Sequence, residues 1–315
     1  MDERLMAISR EKGVFSRKEA LEVGYSDRAI AGEVRAGRWK RVRRGAFTSA
    51  GTWDALDIIG RHQVLARAVL RNARCTAALS HTSALAELGA SCWELPLGLV
   101  HLARFDDRAG RREAGVVQHH GAMYVGDLTC RNGLLVSSPT RTALDITTIA
   151  DTEHSLVPID NLLHRKETTI EEMRHRALTM NNWPDTLKTD LVLRLADGRS
   201  ESPGETRARY LCWKEGLPAP VPQYEVLSGG SVVARLDLAW PELGVWLEFD
   251  GALKYSALLR QGESPADAVL REKRREDDIR RVTGWRCIRV TWAELYEPQR
   301  LAAKIRQLFA DQAAA

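Results

Sequence analysis

The sequence predicts a multi-domain α/β protein, and three observations carry that expectation. The chain has 315 residues, room for two or three domains at roughly 150 residues each. Hydrophobic residues make up 44% and charged residues 28%, the balance of a globular chain that buries real cores. The texture also changes twice. A short, basic, helical stretch runs to about residue 50. A mixed α/β stretch covers 51–198, and helices and strands alternate again over 199–315, after the polar segment "ADGRSESPGE".

Taken in order, the first stretch reads as two short helices and a hairpin. In "FSRKEALEVG", Ser16 is followed three residues later by Glu19, a capping-box signature, and Gly24 ends the helix. "YSDRAIAGEVRAG" starts a second helix at Ser26 or Asp27 and stops at Gly37. Ala20, Leu21, Ile30 and Val34 provide apolar faces at helical spacing. "RWKRVRRGAFTSAG" then alternates bulky and basic residues around Gly45, as a small β-hairpin does.

In the second stretch, "TWDALDIIGRHQVLARAVLRN" reads as one helix. "ALSHTSALAELGA" reads as another, with Ser80 as its cap and Gly89 as its stop. Strands are expected at "LGLVHLA", "GVVQHHG" and "NGLLVSS". Ser138 caps a helix with Pro139 in its first position, and "DNLLHRK" and "TTIEEMRHRAL" continue as helices. No strong catalytic signature stands out there. The third stretch reads as helix (about Pro203–Glu215), strands around Gln223–Val226, Val232–Trp240 and Val245–Asp250, a long charged helix (about Ala266–Thr283), the strand "WRCIRVTW" and a closing helix. The order is α-β-β-β-α-β-α.

Composition removes several function classes. The five cysteines, Cys75, Cys92, Cys130, Cys212 and Cys287, form no C-x-x-C pair. This argues against a zinc ribbon and for reduced thiols in a cytoplasmic protein. The start "MDERLMAISREKG" has no apolar h-region, and no run reaches the length of a membrane span. The eight histidines, among them His81, His101 and the pair His119–His120, show no ligand spacing and read as surface or satisfied core residues. Net charge is +4. Its distribution matters more, because basic residues cluster in "RWKRVRR" and "REKRR".

The segment "RLDLAWPELGVWLEFDG" places Asp237, Glu248 and Asp250 among residues that otherwise read as buried strand. In the simplest antiparallel register through the turn at Pro241–Gly244, Ala239 faces Trp246 and Asp237 faces Glu248, roughly 5 Å apart. Alternation puts Glu248 and Asp250 on one face, with Leu247 and Phe249 on the other. Carboxylates that close repel, and Mg²⁺ or Mn²⁺, hard cations taking oxygen ligands, would resolve the conflict. Glu205, in the first turn of the preceding helix, could add an oxygen ligand or orient a water. Lys254, past the Gly251 bend, and Lys273, on the charged helix, are candidates for stabilising charge on a phosphate.

Each residue has a plainer reading beside this one. Glu205 in "SPGE" fits a capping box, and Asp250 before Gly251 fits a turn. Lys273, Arg274 and Arg275 with Glu276, Asp277 and Asp278 fit a solvated helix face with i,i+4 pairs.

The set "SPGE", "VARLDLAWPEL", "LEFDG" and "REKRREDDIRRVTGWRCIRVTWAEL" resembles the PD-(D/E)xK restriction-endonuclease-like nucleases, and within them the DUF559 family related to very-short-patch-repair endonucleases. The resemblance spans about 115 residues. It implies that Asp237 and Glu248 hold the metal, that Glu205 is the helix acid, and that a metal-activated water attacks a phosphodiester. The lysine expected two residues after Glu248 is Asp250 here, which leaves Lys254 or Lys273 to replace it and puts catalysis in doubt.

The N-terminal helices and basic hairpin together read as a winged helix-turn-helix. Its second helix would bring Ser26, Asp27, Arg28 and Arg35 to the major groove. The hairpin residues Lys40, Arg41, Arg43 and Arg44 would contact phosphates. The plainer reading is a helical cap with solvated basic residues. This segment, with "ALSHTSALAELG" and "SPTRTALDI" beyond it, resembles the AbiEi-type antitoxins of type IV toxin–antitoxin systems over roughly residues 1–190. That resemblance implies binding to promoter DNA and repression of the chain's own operon. The expected domains are thus 1–50 (winged helix), 51–198 (α/β) and 199–315 (nuclease-like). The leading expectation is a Mg²⁺-dependent DNA endonuclease; the alternative is an antitoxin or autorepressor whose nuclease-like domain is inactive. DNA is the expected partner, and a homo-oligomer and a cognate toxin are compatible with both readings.

Overall fold

Asp2 opens the first helix, α1 (Glu3–Lys12), by accepting the Arg4 N–H at 2.8 Å, and Gly13 ends it in the left-handed conformation that glycine adopts without strain. This computed structural model describes residues 2–73, 75–106, 109–180, 183, 186–251 and 264–314. The chain divides into two compact units, residues 1–162 with 166–194 and residues 163–165 with 195–315.

In the first unit, β1 (Phe15–Ser16) leads into α2 (Arg17–Glu22), and the Ser16–Glu19 capping box forms. Ser26 caps α3 (Asp27–Arg35). The hairpin β2 (Trp39–Arg43) and β3 (Ala46–Ser49) follows, and the three strands pair in the order β1-β3-β2. Leu5, Phe15, Ala20, Ile30, Trp39 and Phe47 form one buried cluster, so helices and wing share a single small core.

The expected single helix after residue 51 is two: α4 (Ala50–Asp54) and α5 (Ile58–Arg71). Asp57 breaks the run by accepting the Gly60 N–H at 2.7 Å; its short side chain caps better than it propagates. Val64 and Ala68 of α5 pack on Val14 and Ala46. Arg71 donates to the Val14 carbonyl at 2.7 Å and ion-pairs with Glu19. This small N-terminal core is therefore joined to α5 by apolar packing and by a charged clasp.

Next come β4 (Ala77–Leu79), α6 (His81–Glu87), β5 (Val100–Arg104), β6 (Arg111–Glu113), β7 (Val116–His120), β8 (Leu128–Arg131) and β9 (Leu134–Ser137). They build a mixed six-stranded sheet in the order β6-β7-β5-β4-β9-β8. Strands β5, β7 and β9 fall where the sequence expects them. The short β4, β6 and β8 carry too little pattern to be read. α7 (Pro139–Ile149), α8 (Thr152–His164), α9 (Ile170–Ala177) and α10 (Thr189–Leu195) complete the run. Ser138 caps α7 with Pro139 at its start, as expected.

The second unit runs α11 (Pro203–Lys214), β10 (Val221–Ser228), β11 (Ser231–Trp240), β12 (Val245–Asp250), α12 (Pro265–Thr283), β13 (Arg286–Thr291), α13 (Trp292–Leu295) and α14 (Pro298–Ala313). Its sheet order is β10-β11-β12-β13, antiparallel except for the parallel β12–β13 pair. Leu238, Trp240, Val245 and Leu247 bury themselves with Leu211 of α11 and with Leu301 and Ile305 of α14. Ala239 and Trp246 cluster with Ile279 of α12. A sheet covered on both faces explains why these strands read as nearly continuous apolar runs. The five cysteines are free thiols. Among the described residues, no helix is long and apolar enough to cross a membrane.

Candidate functional site

In the N-terminal unit, Arg17 grips Asp27 through two hydrogen bonds of 2.7 and 2.6 Å. The fork geometry of a guanidinium on a carboxylate sets α3 against α2, and the same hydrogen bonds hold the Asp27 carboxyl below its ordinary range. Asp27 is therefore tied back to the scaffold. Ser26, whose hydroxyl accepts from Ala29 N–H at 3.2 Å, and Arg28 and Arg35 lie exposed on α3.

On the wing, Lys40, Arg41 and Arg44 are exposed, with the Arg41 guanidinium 5.9 Å from the Phe47 ring centre. Arg43 is placed differently. The β2–β3 register shifts between Arg41 and Arg43, and the Arg43 guanidinium donates to the Ala114 carbonyl at 3.1 Å. Its charge faces the β6–β7 turn, a placement that depends on sequence-distant backbone and leaves no mark in the basic run itself.

In the second unit, the expected register forms in part: Ala239 opposes Trp246 and Trp240 opposes Val245. The β11–β12 ladder ends at Leu238 and Leu247, one pair short of Asp237 and Glu248. There Asp237 takes over, accepting the Phe249 N–H on its side chain at 2.8 Å. A carboxylate stands where the next backbone carbonyl of the ladder would.

Glu205 is buried, and both its oxygens are engaged. Oε1 accepts from the Ser202 hydroxyl at 2.7 Å. Oε2 accepts from Glu201 N–H at 3.0 Å and from the Gln223 amide at 2.7 Å. It thus caps α11, the plainer reading, and also ties that helix to β10. Burial and then the charge of Asp237 push its carboxyl above the ordinary range, so the two acids sense each other. Gly204 makes the approach feasible: a Cβ there would lie 2.1 Å from the Phe249 ring.

Glu248 meets Arg275 of α12 at 3.2 Å, and Arg275 also donates to the Arg235 carbonyl at 2.7 Å. A guanidinium therefore stands beside the carboxylate that the sequence assigns to a cation. Asp250 is half-buried opposite Thr291, and Lys273 is exposed on α12. Lys254 lies outside the described residues. Glu276 holds both Arg280 and Arg289, at 2.8 and 2.9 Å, so the charge run of α12 is partly a network of ion pairs. Gln223 and Arg275 are residues that sequence reading missed, since a lone Gln in a strand and one Arg among several carry no pattern.

The larger omission is in the first unit. His81, His101 and His119 converge, with one potential ligand atom from each lying within 4.8 Å of the others. The one available signal was histidine inside otherwise apolar strands, in "LVHLA" and "VVQHH".

Comparison with known proteins adds to this geometry. Two curated relatives, both uncharacterized proteins of Mycobacterium tuberculosis (strains CDC 1551 / Oshkosh and ATCC 25618 / H37Rv), are each 27% identical over 175 residues. The alignment covers 55% of this chain, and the chain spans about 61% of the length of these relatives. Residues 3–50 match the family described as "Transcriptional regulator, AbiEi antitoxin". The segment that folds into α1, the helix pair α2–α3 and the wing is therefore the part of the chain with an AbiEi-type regulator's signature.

Proposed function

We propose that this chain is a DNA-binding transcriptional regulator of the antitoxin type. On this reading α3 enters the major groove and presents Ser26, Arg28 and Arg35, while Lys40, Arg41 and Arg44 of the wing ride on phosphates. The observation that carries the reading is a match to a regulator family over residues 3–50 that coincides with two structural facts. Those residues share a buried apolar core, and their basic side chains point outward from it. The natural target is DNA upstream of the chain's own gene, and the natural protein partner is a cognate toxin. A second copy of the chain would suit a two-fold operator. The test is a binding titration on that upstream DNA beside a scrambled duplex. Preference for the upstream DNA, lost in an R28A/K40A/R41A/R44A variant, supports the reading; equal affinity for both duplexes removes it.

A second reading has an observation of its own: where the β11–β12 ladder ends, the Asp237 carboxylate accepts the Phe249 N–H and its charge acts on the buried Glu205, and Glu248 is the first β12 residue past the ladder. The donor set is all oxygen, which suits Mg²⁺ or Mn²⁺, with Asp237 and Glu248 as ligands once Arg275 swings aside and Glu205 as an orienting acid. Such an ion would lower the pKa of a bound water and offset charge on a phosphodiester. Supercoiled plasmid with either metal decides it. Nicking by the wild type that a D237A/E248A variant lacks establishes a nuclease, and intact plasmid in both arms leaves only the regulator.

A further inference from the structure

His101 lies on β5 and His119 on the parallel neighbour β7, with His101 paired to Val117 and Ala103 to His119. That offset brings the two rings together, His101 Nδ1 to His119 Nε2 at 2.8 Å. His81 begins α6 and stacks on His119 with ring centres 3.7 Å apart. His81 and His101 are each 6% exposed, and His119 is half-buried. The stretch that carries His81 is pinned from behind. Ser83 accepts the His101 N–H at 2.9 Å and meets His62 Nε2 at 3.0 Å.

The surroundings are built for a charge that the three rings do not themselves supply. Asp145 of α7 is 1% exposed, and one of its oxygens is hydrogen-bonded by Arg141 at 2.8 Å. The other, Oδ2, has no hydrogen-bond partner and lies 3.9 Å from His81 Nδ1. An orphaned buried carboxylate oxygen is costly, and it is aimed at an imidazole nitrogen. Beside His81 and His119 opens a cavity of about 370 Å³, bounded also by Asp145, Arg141 and Trp183.

We propose that His81, His101 and His119 bind one zinc ion, with Asp145 orienting His81 and the cavity leaving the fourth position open to water. Three imidazoles with an open fourth position are a ligand set that Zn²⁺ accepts. A carboxylate behind a ligating histidine is the usual means of fixing its ring. Tetrahedral ligation places nitrogens about 3.3 Å apart. Binding therefore exchanges the 2.8 Å contact between His101 and His119 for a slightly wider one and tilts His81 off its stack. This site stands apart from both readings of function above, since it draws on neither α3 and the wing nor the acids of the second unit.

The test uses the full chain, stripped with a chelator and titrated with Zn²⁺ by calorimetry, with zinc X-ray absorption on the loaded wild type. The expected result is one ion per chain with about 10–100-fold weaker binding in D145N and loss of the site in H101Q/H119Q. An H175Q variant, which changes an exposed histidine outside the cluster, should match the wild type. Absorption should report nitrogen and oxygen neighbours only. No stoichiometric binding by the wild type, sulfur in its absorption spectrum, or full affinity in a folded H101Q/H119Q variant each overturns the proposal. The first two readouts need no variant to fold.

Discussion

If α3 and the wing hold DNA, the salt dependence of binding is set by which cations face outward. Arg28, Arg35, Lys40, Arg41 and Arg44 are exposed, whereas Arg43 is bound to the Ala114 carbonyl. Each phosphate neutralised releases counterions, so log K falls against log salt with a slope of about −0.9 per contact. With Arg28 and Arg35 at phosphates flanking the groove beside the three wing cations, five contacts give a slope of about −4.5, and raising salt from about 50 to about 200 mM should weaken binding roughly 500-fold. Removing three cations in K40A/R41A/R44A should cut the slope to about −1.8 and that loss to roughly tenfold. Arg43→Ala should leave the slope within about half a unit of the wild type. Fluorescence anisotropy on a labelled duplex over that salt range measures all three. A slope that drops by a full contact in Arg43→Ala would refute the assignment of its charge to the β6–β7 turn. A wild-type slope near zero would refute the interface as a whole.

Other consequences concern stability. The three clustered histidines have pKa values below the unfolded value of about 6.5, with His101 near 3 and His119 near 4. Below that pH the unfolded chain takes up protons that the folded chain refuses. Their contribution is thus present above pH 6.5 and lost on acidification. Asp145, raised to about 6 by burial, works in the opposite direction over the same window and offsets one of the three. The net is a loss of stability on acidification between about pH 6 and 4; a flat series of urea midpoints over that range would contradict it. Gly204→Ala should cost about 1–3 kcal/mol, because Phe249 is buried edge-on against Trp292 and has no room to yield; thermal denaturation of the full chain measures it. Arg141→Leu leaves Asp145, 1% exposed and 2.8 Å from Arg141, without its guanidinium, while Asp127 keeps Arg176 at 2.6 Å; the loss should cost about 3–5 kcal/mol. A melting temperature unchanged from wild type would show that the network contributes little.

Local sequence signals decided much of this protein. The caps at Ser16, Ser26, Ser138 and Ser202 all form, because a cap is an arrangement of residues three apart and needs no partner elsewhere; Ser80, also expected to cap, starts α6 without that hydrogen bond and meets His81 Nδ1 at 3.0 Å instead. The strands of the second unit and the Ala239–Trp246 register were readable for a similar reason: a tight turn fixes which residues oppose. The break at Asp57 was local too, but it was hidden in an apolar pattern that suits one helix as well as two.

What the chain could not declare by itself is where side chains go once distant segments meet. Arg43 looks identical to its basic neighbours until the β6–β7 turn presents a carbonyl to it. Arg275 becomes the partner of Glu248 only because α12 lies across that end of the sheet. The histidine cluster needs a parallel β5–β7 pairing and the start of α6 to converge, and neither is encoded at any fixed spacing. Residue type and near-neighbour order set the elements. The pairing of carboxylates, guanidiniums and imidazoles was left to tertiary packing, since charge and coordination depend on separation in space and not along the chain.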